Sequence, residues 1–135
     1  MIIKKSAYNE LINCKKVPPE LGGILIGNAF VIDTVIFDIE KNNLNYTPNV
    51  DYLNSLIENN EIKGKHFWGM FHTHAEQWGE FSGEDIKYIN VIMRAMPVKY
   101  LYFPLVFPEK KIVKSFKAVK KKDQIIIVLE KSIII

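Results

Sequence analysis

Short apolar runs with the alternation or uniformity of strands occur along the first half of the chain. Gly22–Gly27 is uniformly apolar, which indicates a buried strand. Gly27 and Asn28 suit a tight hairpin turn. The segment Ala29–Ile39 is rich in Val, Ile and Phe and is predicted to be a second, longer strand. Lys65–His72 has the same character and predicts another strand.

Three further segments have the spacing of helices. A short helix is predicted over Ser6–Asn13, with Ser6 as its N-cap. Thr47 followed by Pro48 has the form of an N-cap with proline at the first helical position. The apolar residues after it share one helical face: Val50, Leu53, Leu56 and Ile57. Ser82–Ala95 is predicted to be the third helix, because its isoleucines recur at helical spacing.

The last third of the chain contains three strand-like runs separated by short turns, which favours an antiparallel meander. These runs are Val98–Phe107, Lys111–Val119 and Gln124–Lys131. The sum predicts an α/β fold with a mixed, mostly antiparallel sheet flanked by about two main helices. We find no linker or repeat, so residues 1–135 are expected to form a single domain. The Ile133–Ile135 run is compatible with closing the core or with contacting a partner.

Composition excludes several function classes. The chain has 135 residues and a net charge of +3, and this mild basic excess does not predict binding to nucleic acid. The run Lys120–Lys122 is interpreted as a solvated turn. A single cysteine, Cys14, cannot form an intramolecular disulfide. The first residues do not resemble a signal peptide, and apolar runs such as Ile125–Leu129 are too short to cross a bilayer. We therefore expect a cytoplasmic protein without membrane contact.

The chemically informative segment is His72-Thr73-His74. Residues two apart on a strand face the same side, so both imidazoles can converge on one metal ion. Asp85, in the first turn of the following helix, is the best candidate for a third ligand. Two imidazoles and one carboxylate leave a fourth position for water, which is the open arrangement of a catalytic zinc site. Zinc lowers the pKa of such a water from about 15.7 to about 7.

Two more residues suit hydrolysis at such a site. Glu20, at the start of the first apolar strand, can serve as the general base that takes the water proton. Ser82 can donate a hydrogen bond to the oxyanion that forms when a carbonyl becomes tetrahedral.

Together these positions resemble the JAMM motif of the JAB/MPN-domain metallopeptidases. That motif has a glutamate upstream, then His-Ser/Thr-His, seven residues, Ser, two residues and Asp. The chain carries Glu20, His72-Thr73-His74, Ser82 and Asp85 at this spacing. Many relatives have proline at the positions that Ala75 and Phe81 occupy here, a departure that bears on loop shape and substrate fit.

The resemblance implies the cytidine-deaminase-like JAB/MPN architecture and one zinc ion per chain. It implies His72, His74 and Asp85 as the metal ligands, Glu20 as general acid/base and Ser82 as oxyanion donor. The implied activity is hydrolysis of amide or isopeptide bonds. Because the chain is short, it is most similar to the compact prokaryotic members. The implied substrate is a ubiquitin-like protein or its conjugates, cleaved after the C-terminus of that protein.

Alternatives remain at the level of the sequence. Ser82 and Asp85 also have the spacing of a helix capping box. Two His and one carboxylate describe the facial triad of non-haem iron oxygenases as well. Trp78 and Phe81 are candidates for lining a substrate groove, or for packing locally as a lid. At the level of function, a non-catalytic MPN-type interaction module and an amidase acting on small or cell-wall peptides stay open.

Overall fold

The chain forms helices on both faces of one sheet. The structure, a computed structural model, describes residues 1–39, 45–75 and 79–135. Within these ranges the helices are α1 (Lys5–Ile12), α2 (Val50–Ile62) and α3 (Gly83–Ala95). The strands are β1 (Ile2–Ile3), β2 (Gly22–Gly27), β3 (Ile32–Phe37), β4 (His66–Thr73), β5 (Tyr100–Phe107), β6 (Ile112–Lys121), β7 (Gln124–Glu130) and β8 (Ile133–Ile134).

The sheet is mixed. Its order is β7-β6-β5-β4-β2-β3-β1-β8. The pairs β4–β5, β1–β3 and β1–β8 are parallel, and the other neighbours are antiparallel. The C-terminal run β5–β6–β7 is the predicted meander. The α/β class with a mixed, mostly antiparallel sheet is therefore confirmed.

Apolar side chains fill both faces of this sheet. Along β2, Leu25 belongs to a cluster with α1, whereas Ile24 and Ile26 belong to a second cluster with α2 and α3. Alternation along a strand separates these clusters onto opposite faces. None of the helices in the described ranges is long and apolar enough to span a membrane.

A β-bulge in β4 changes the face of the sheet to which its side chains point. Leu25 pairs with Gly69 and Ile26 pairs with Phe67, so Trp68 is the extra residue. Trp68 packs against the α1 cluster, whereas Met70 belongs to the α3 cluster. Uninterrupted alternation predicts the same face for Trp68, Met70 and His72, and for Trp68 this is wrong. Gly69 has φ +146°, and a Cβ there would lie 1.8 Å from the Tyr102 carbonyl oxygen. Only glycine fits this position.

Two helix starts differ from their predictions. Helix α1 follows Lys4, which offers no side-chain cap, so Ser6 is not the N-cap. Helix α2 is capped by Asn49, whose side chain accepts a hydrogen bond from the Tyr52 N–H. Thr47 is therefore not the cap. Asn49 fills the role because it lies directly before the first helical turn, where a side-chain acceptor reaches the free N–H groups.

Two further segments lie at the ends of strands, namely the β2–β3 turn and the C-terminal isoleucines. The β2–β3 turn is wider than a two-residue hairpin: Gly27 pairs with Ile32, and the Asn28 side chain accepts from two backbone N–H groups within the turn. The predicted second strand therefore begins later than Ala29. The Ile133–Ile135 run does not close the core, because β8 pairs with β1 at the sheet edge and the three side chains stay exposed.

Candidate metal centre

The end of β4 brings the two histidines together. His72 is the penultimate residue of β4, and His74 follows the last one. The His74 N–H donates to the Val106 carbonyl oxygen at 2.9 Å, which continues the pairing with β5 past the end of the strand. Both rings therefore point to one side, and their Nε2 atoms are 3.0 Å apart.

Helix α3 supplies the third group. Ser82 and Asp85 form a reciprocal capping box: the Asp85 N–H donates to Ser82 Oγ, and the Ser82 N–H donates to Asp85 Oδ2. The capping role considered for this pair is thus present. The same Oδ2 atom lies 3.3 Å from His72 Nε2 and 3.3 Å from His74 Nε2. The cap therefore fixes the carboxylate in the position where it meets both imidazoles.

These three donor atoms fit a metal ion. They form a triangle with sides of 3.0, 3.3 and 3.3 Å. Ligands bound about 2.0–2.2 Å from a tetrahedral zinc ion lie about 3.3–3.6 Å from one another, so the triangle is close to one face of that tetrahedron. His72, His74 and Asp85 can hold one metal ion, and both donor types suit zinc.

The electrostatics keep Asp85 ionised. Burial raises the pKa of this carboxyl group, but hydrogen bonds with His72 and His74, the charge of His72 and the Ser82 N–H lower it. The net pKa is well below the usual range for aspartate. Asp85 is thus a carboxylate, which is the form that binds metal.

Glu20 is the second carboxylate at this centre. Its Oε2 atom is 3.4 Å from His74 Nε2, and its Oε1 atom accepts from the Tyr46 N–H at 2.9 Å. Glu20 contacts one imidazole, whereas Asp85 contacts both. The structure therefore places it beside the triangle, where a carboxylate can reach a molecule bound to the metal.

Thr73, between the two histidines, has a role that the sequence pattern does not state. Its side chain is fully buried, and alternation along β4 places it on the face opposite the two imidazoles. Thr73 Oγ1 accepts from the Leu21 N–H at 2.8 Å, and the Thr73 N–H donates to the Leu21 carbonyl oxygen at 2.8 Å. Leu21 follows Glu20, so this pair of bonds ties Glu20 to the strand that carries the histidines. Strand alternation is the sequence signal that could have indicated this role, because it places the side chain between two site histidines on the opposite, buried face of the strand.

Aromatic rings enclose His72. The Tyr46 ring stacks on it with centroids 6.3 Å apart and 21° between the planes. The Phe81 ring stacks on it with centroids 5.9 Å apart and 29° between the planes, and Phe81 also contacts Phe116. Phe81 thus supports a candidate ligand as well as lining the adjoining cavity. Trp78, the other groove candidate, lies outside the described residues.

Two cavities flank the candidate ligands. A cavity of about 660 Å³ is lined by Glu20, His74, Phe81, Ser82 and Asp85, among others. A smaller one of about 180 Å³ reaches His72 and Asp85 from the core side, with mostly apolar walls that include Met70, Ile89 and Phe103. The larger cavity contains every predicted catalytic side chain, so it is the better candidate for binding a substrate.

Comparisons with known proteins bear on the fold. No protein-family model and no curated protein matches the sequence. Among solved structures, the chain is similar to protein DSY2949 from Desulfitobacterium hafniense, with a TM-score of 0.67 and 17% identity over 99% of this chain and 92% of that one. It is also similar to AF2198, a JAB1/MPN domain protein from Archaeoglobus fulgidus, with a TM-score of 0.56 and 18% identity over 100% of this chain and 99% of that one. At this level of identity the likeness concerns the fold, which is that of a JAB1/MPN domain.

Proposed function

We propose that this protein is a JAMM-type zinc metallopeptidase that hydrolyses amide or isopeptide bonds. Its substrate in this proposal is a ubiquitin-like protein or its conjugates, cleaved after the C-terminus of that protein. The observation that carries the proposal is the triangle of His72, His74 and Asp85 donor atoms, with sides of 3.0–3.3 Å and a further carboxylate beside it.

The chemistry divides between the metal and the chain. A bound zinc ion would lower the pKa of a water molecule and polarise the scissile carbonyl group. His72, His74 and Asp85 would hold the ion. Glu20 would accept the proton from the water through Oε2 and deliver it to the leaving amine, while Oε1 stays hydrogen-bonded to the Tyr46 N–H.

Ser82 would stabilise the developing oxyanion. Its Oγ atom accepts from the Asp85 N–H, and a hydroxyl that accepts still has its own hydrogen to donate. Ser82 is exposed and lines the larger cavity together with Glu20 and His74. From the wall of this cavity, a hydroxyl donor would reach the oxygen of a carbonyl group bound there.

The substrate proposal rests on the shape beside the site and on the JAMM-like residues. The larger cavity is open at the surface and bordered by Phe81, which suits a thin extended segment with small residues at the scissile bond. The C-terminal tail of a ubiquitin-like protein has this form. Such substrates are intracellular, in keeping with the cytoplasmic location expected from the sequence.

Metal content is the first test. Protein purified without added metal is analysed by inductively coupled plasma mass spectrometry, beside Asp85→Ala and the control Asp123→Ala. Asp123 lies in the exposed β6–β7 turn. We expect about one zinc ion per chain in the wild type and the control, and loss of zinc in Asp85→Ala. A folded wild-type protein that takes up no zinc would refute the proposed enzymatic function.

Substrate class is the second test. Zinc-loaded protein is given a ubiquitin-like protein joined through its C-terminus to a lysine side chain, and separately a short peptide amide or a cell-wall peptide. Cleavage of the conjugate supports the proposal. Cleavage of only the small substrates would replace it with an amidase. A zinc-bound protein that cleaves none of them would leave a non-catalytic MPN-type interaction module.

A further inference from the structure

A buried carboxylate outside the metal site organises the segment beside it. Asp38 follows β3 and is 9% exposed. Its Oδ1 atom accepts from the Ile39 N–H at 2.7 Å. Its Oδ2 atom accepts from the Tyr46 hydroxyl at 2.8 Å and from the Asn49 N–H at 2.8 Å. One side chain thus holds both Tyr46 and the cap of α2.

The chemistry of these bonds requires a carboxylate. Both Asp38 oxygens accept hydrogen bonds from backbone N–H groups, which have nothing to accept in return. An asparagine would place its NH₂ group against one of these N–H groups, whichever way its amide is turned. A buried donor facing another donor is costly, so Asn cannot replace Asp here without loss.

Tyr46 extends this anchor to the metal site in two directions. Its backbone N–H donates to Glu20 Oε1 at 2.9 Å, and its ring stacks on His72. The ring also lies over Gly22, where a Cβ would come within 2.3 Å of it. A glycine at this position therefore leaves the room that the ring occupies.

We propose that Asp38 is a positioning residue for the metal site and acts through Tyr46. The Asp38–Tyr46 hydroxyl bond fixes the backbone that orients Glu20 and fixes the ring that supports His72. The part concerning Glu20 rests on the proposed hydrolase function, whereas the part concerning His72 needs only metal binding. Asp38 itself has no direct hydrogen bond to either residue among the described contacts.

The Tyr46 hydroxyl is a dependable donor in this arrangement. Burial and the hydrogen bond with Asp38 raise the pKa of Tyr46 far above its ordinary value. Burial and the Asp38 charge also raise the pKa of the nearby Tyr88 to about 12. Both phenols are therefore neutral at physiological pH, and the Tyr46 hydroxyl keeps the hydrogen that it donates to Asp38.

Substitutions at Tyr46 separate the bond to Asp38 from the bulk of the ring. Tyr46→Phe removes the bond to Asp38 but keeps the ring and the backbone N–H, and it leaves the Asn49 bond to Asp38 intact. Tyr46→Ala removes the ring as well. Tyr8→Phe is the matched control, because Tyr8 packs in the α1 cluster on the opposite face of the sheet.

The first readout is zinc affinity, measured on metal-free folded protein by competition with a chelator. We expect Tyr8→Phe to bind zinc within about two-fold of the wild type. Tyr46→Phe should bind it about four-fold more weakly, because the ring beside His72 is no longer held by Asp38. Tyr46→Ala should bind about ten-fold more weakly, as is typical when a residue that supports a ligand is lost. This readout does not depend on activity. Wild-type zinc affinity in folded Tyr46→Phe, or in folded Tyr46→Ala, would overturn the His72 part even if a substrate is found.

The second readout is a double-mutant cycle in kcat and KM, using whichever substrate the zinc-loaded wild type cleaves. Tyr46→Phe and Asp38→Asn should each lower kcat about ten-fold, the scale of a hydrogen bond to a charged group, with KM within two-fold. The double variant should lose no more than Asp38→Asn alone. Equal kcat in Tyr46→Phe and Tyr8→Phe, or losses that multiply in the double variant, would overturn the Glu20 part. If no substrate is cleaved, the proposed function fails and the zinc affinities alone decide the positioning role.

Discussion

The two carboxylates at the metal site are held by different kinds of contact. Asp85 is fixed within one helical turn. Its side chain accepts a hydrogen bond from the Ser82 N–H, and the Asp85 N–H donates to Ser82 Oγ. Glu20 is fixed from a distance. Its partner Tyr46 is 26 residues further along the chain and is itself anchored to Asp38.

This difference corresponds to the two proposed roles. A metal ligand must keep one position, and a capping box provides it with few atoms and little dependence on the remainder of the fold. A base that exchanges protons must keep one oxygen free while the other is held. Among the described residues, the Tyr46 N–H holds Glu20 Oε1, whereas Oε2 faces the metal site and lies 3.4 Å from His74 Nε2.

The largest effect that separates the two carboxylates is expected from Glu20→Gln. The amide oxygen can still accept from the Tyr46 N–H, so the side chain keeps its place, but it no longer takes up a proton. We expect kcat on a cleavable conjugate to fall about 10²–10⁴-fold, with zinc bound as in the wild type. Zinc content and kcat measured on one preparation check this. Loss of zinc in Glu20→Gln would make Glu20 a ligand and remove the distinction.

Gly69→Ala tests the frame that both carboxylates share, since β4 carries both histidines. The new Cβ would lie 1.8 Å from the Tyr102 carbonyl oxygen. We expect the free energy of unfolding to fall by about 3 kcal/mol, from steric overlap added to backbone strain. Denaturant unfolding measures it. Gly64→Ala is the control, because Gly64 also has positive φ but has open space around it. It should cost about 1 kcal/mol. Equal losses in the two variants would mean that the Tyr102 backbone yields.

The smallest effect on the free energy of unfolding is expected from Ser82→Ala, which removes the side-chain cap of α3 together with the proposed oxyanion donor. Loss of the side-chain cap should lower the free energy of unfolding by about 1 kcal/mol. Zinc affinity should change little, because Asp85 Oδ2 still accepts from the backbone N–H of residue 82. Chemical denaturation and chelator competition measure the two quantities. Ser55→Ala, on the exposed face of α2, should be near neutral. A strong loss of zinc in Ser82→Ala would show that the cap hydroxyl is needed to hold Asp85.

The same contrast explains how far the sequence could predict the site. The proximity of His72, His74 and Asp85 follows from strand alternation and from a helix start, which are both local features. Asp38 and Tyr46 could not be predicted, because their bonds join segments that only the folded sheet brings together. The residues around Asp38 form no recognisable sequence motif, and Tyr46 lies in a polar loop.

The fold was predictable to a similar degree. Apolar runs located the main strands and the C-terminal meander, since burial of a face imposes a period on the sequence. The bulge at Trp68 could not be foreseen, because one extra residue leaves the apolar run unbroken while it reverses the facing of the side chains. The N-cap of α2 was predicted at the wrong residue for a related reason. Thr47 and Asn49 are both favourable N-cap residues, and Asn49 also donates its backbone N–H to Asp38, a tertiary bond that the local sequence does not reveal.

The reciprocal bonds between Leu21 and Thr73 have a consequence for how the site opens. Both bonds join the same two residues, since the Leu21 N–H donates to Thr73 Oγ1 and the Thr73 N–H donates to the Leu21 carbonyl oxygen. We therefore expect fraying of the β4 end to break them together. Glu20 precedes one partner, and His72 and His74 flank the other. Local opening should therefore displace the base and the two histidines in a single cooperative event. We therefore expect the wild-type site to open as a unit, with few molecules that keep both histidines in place while Glu20 is displaced.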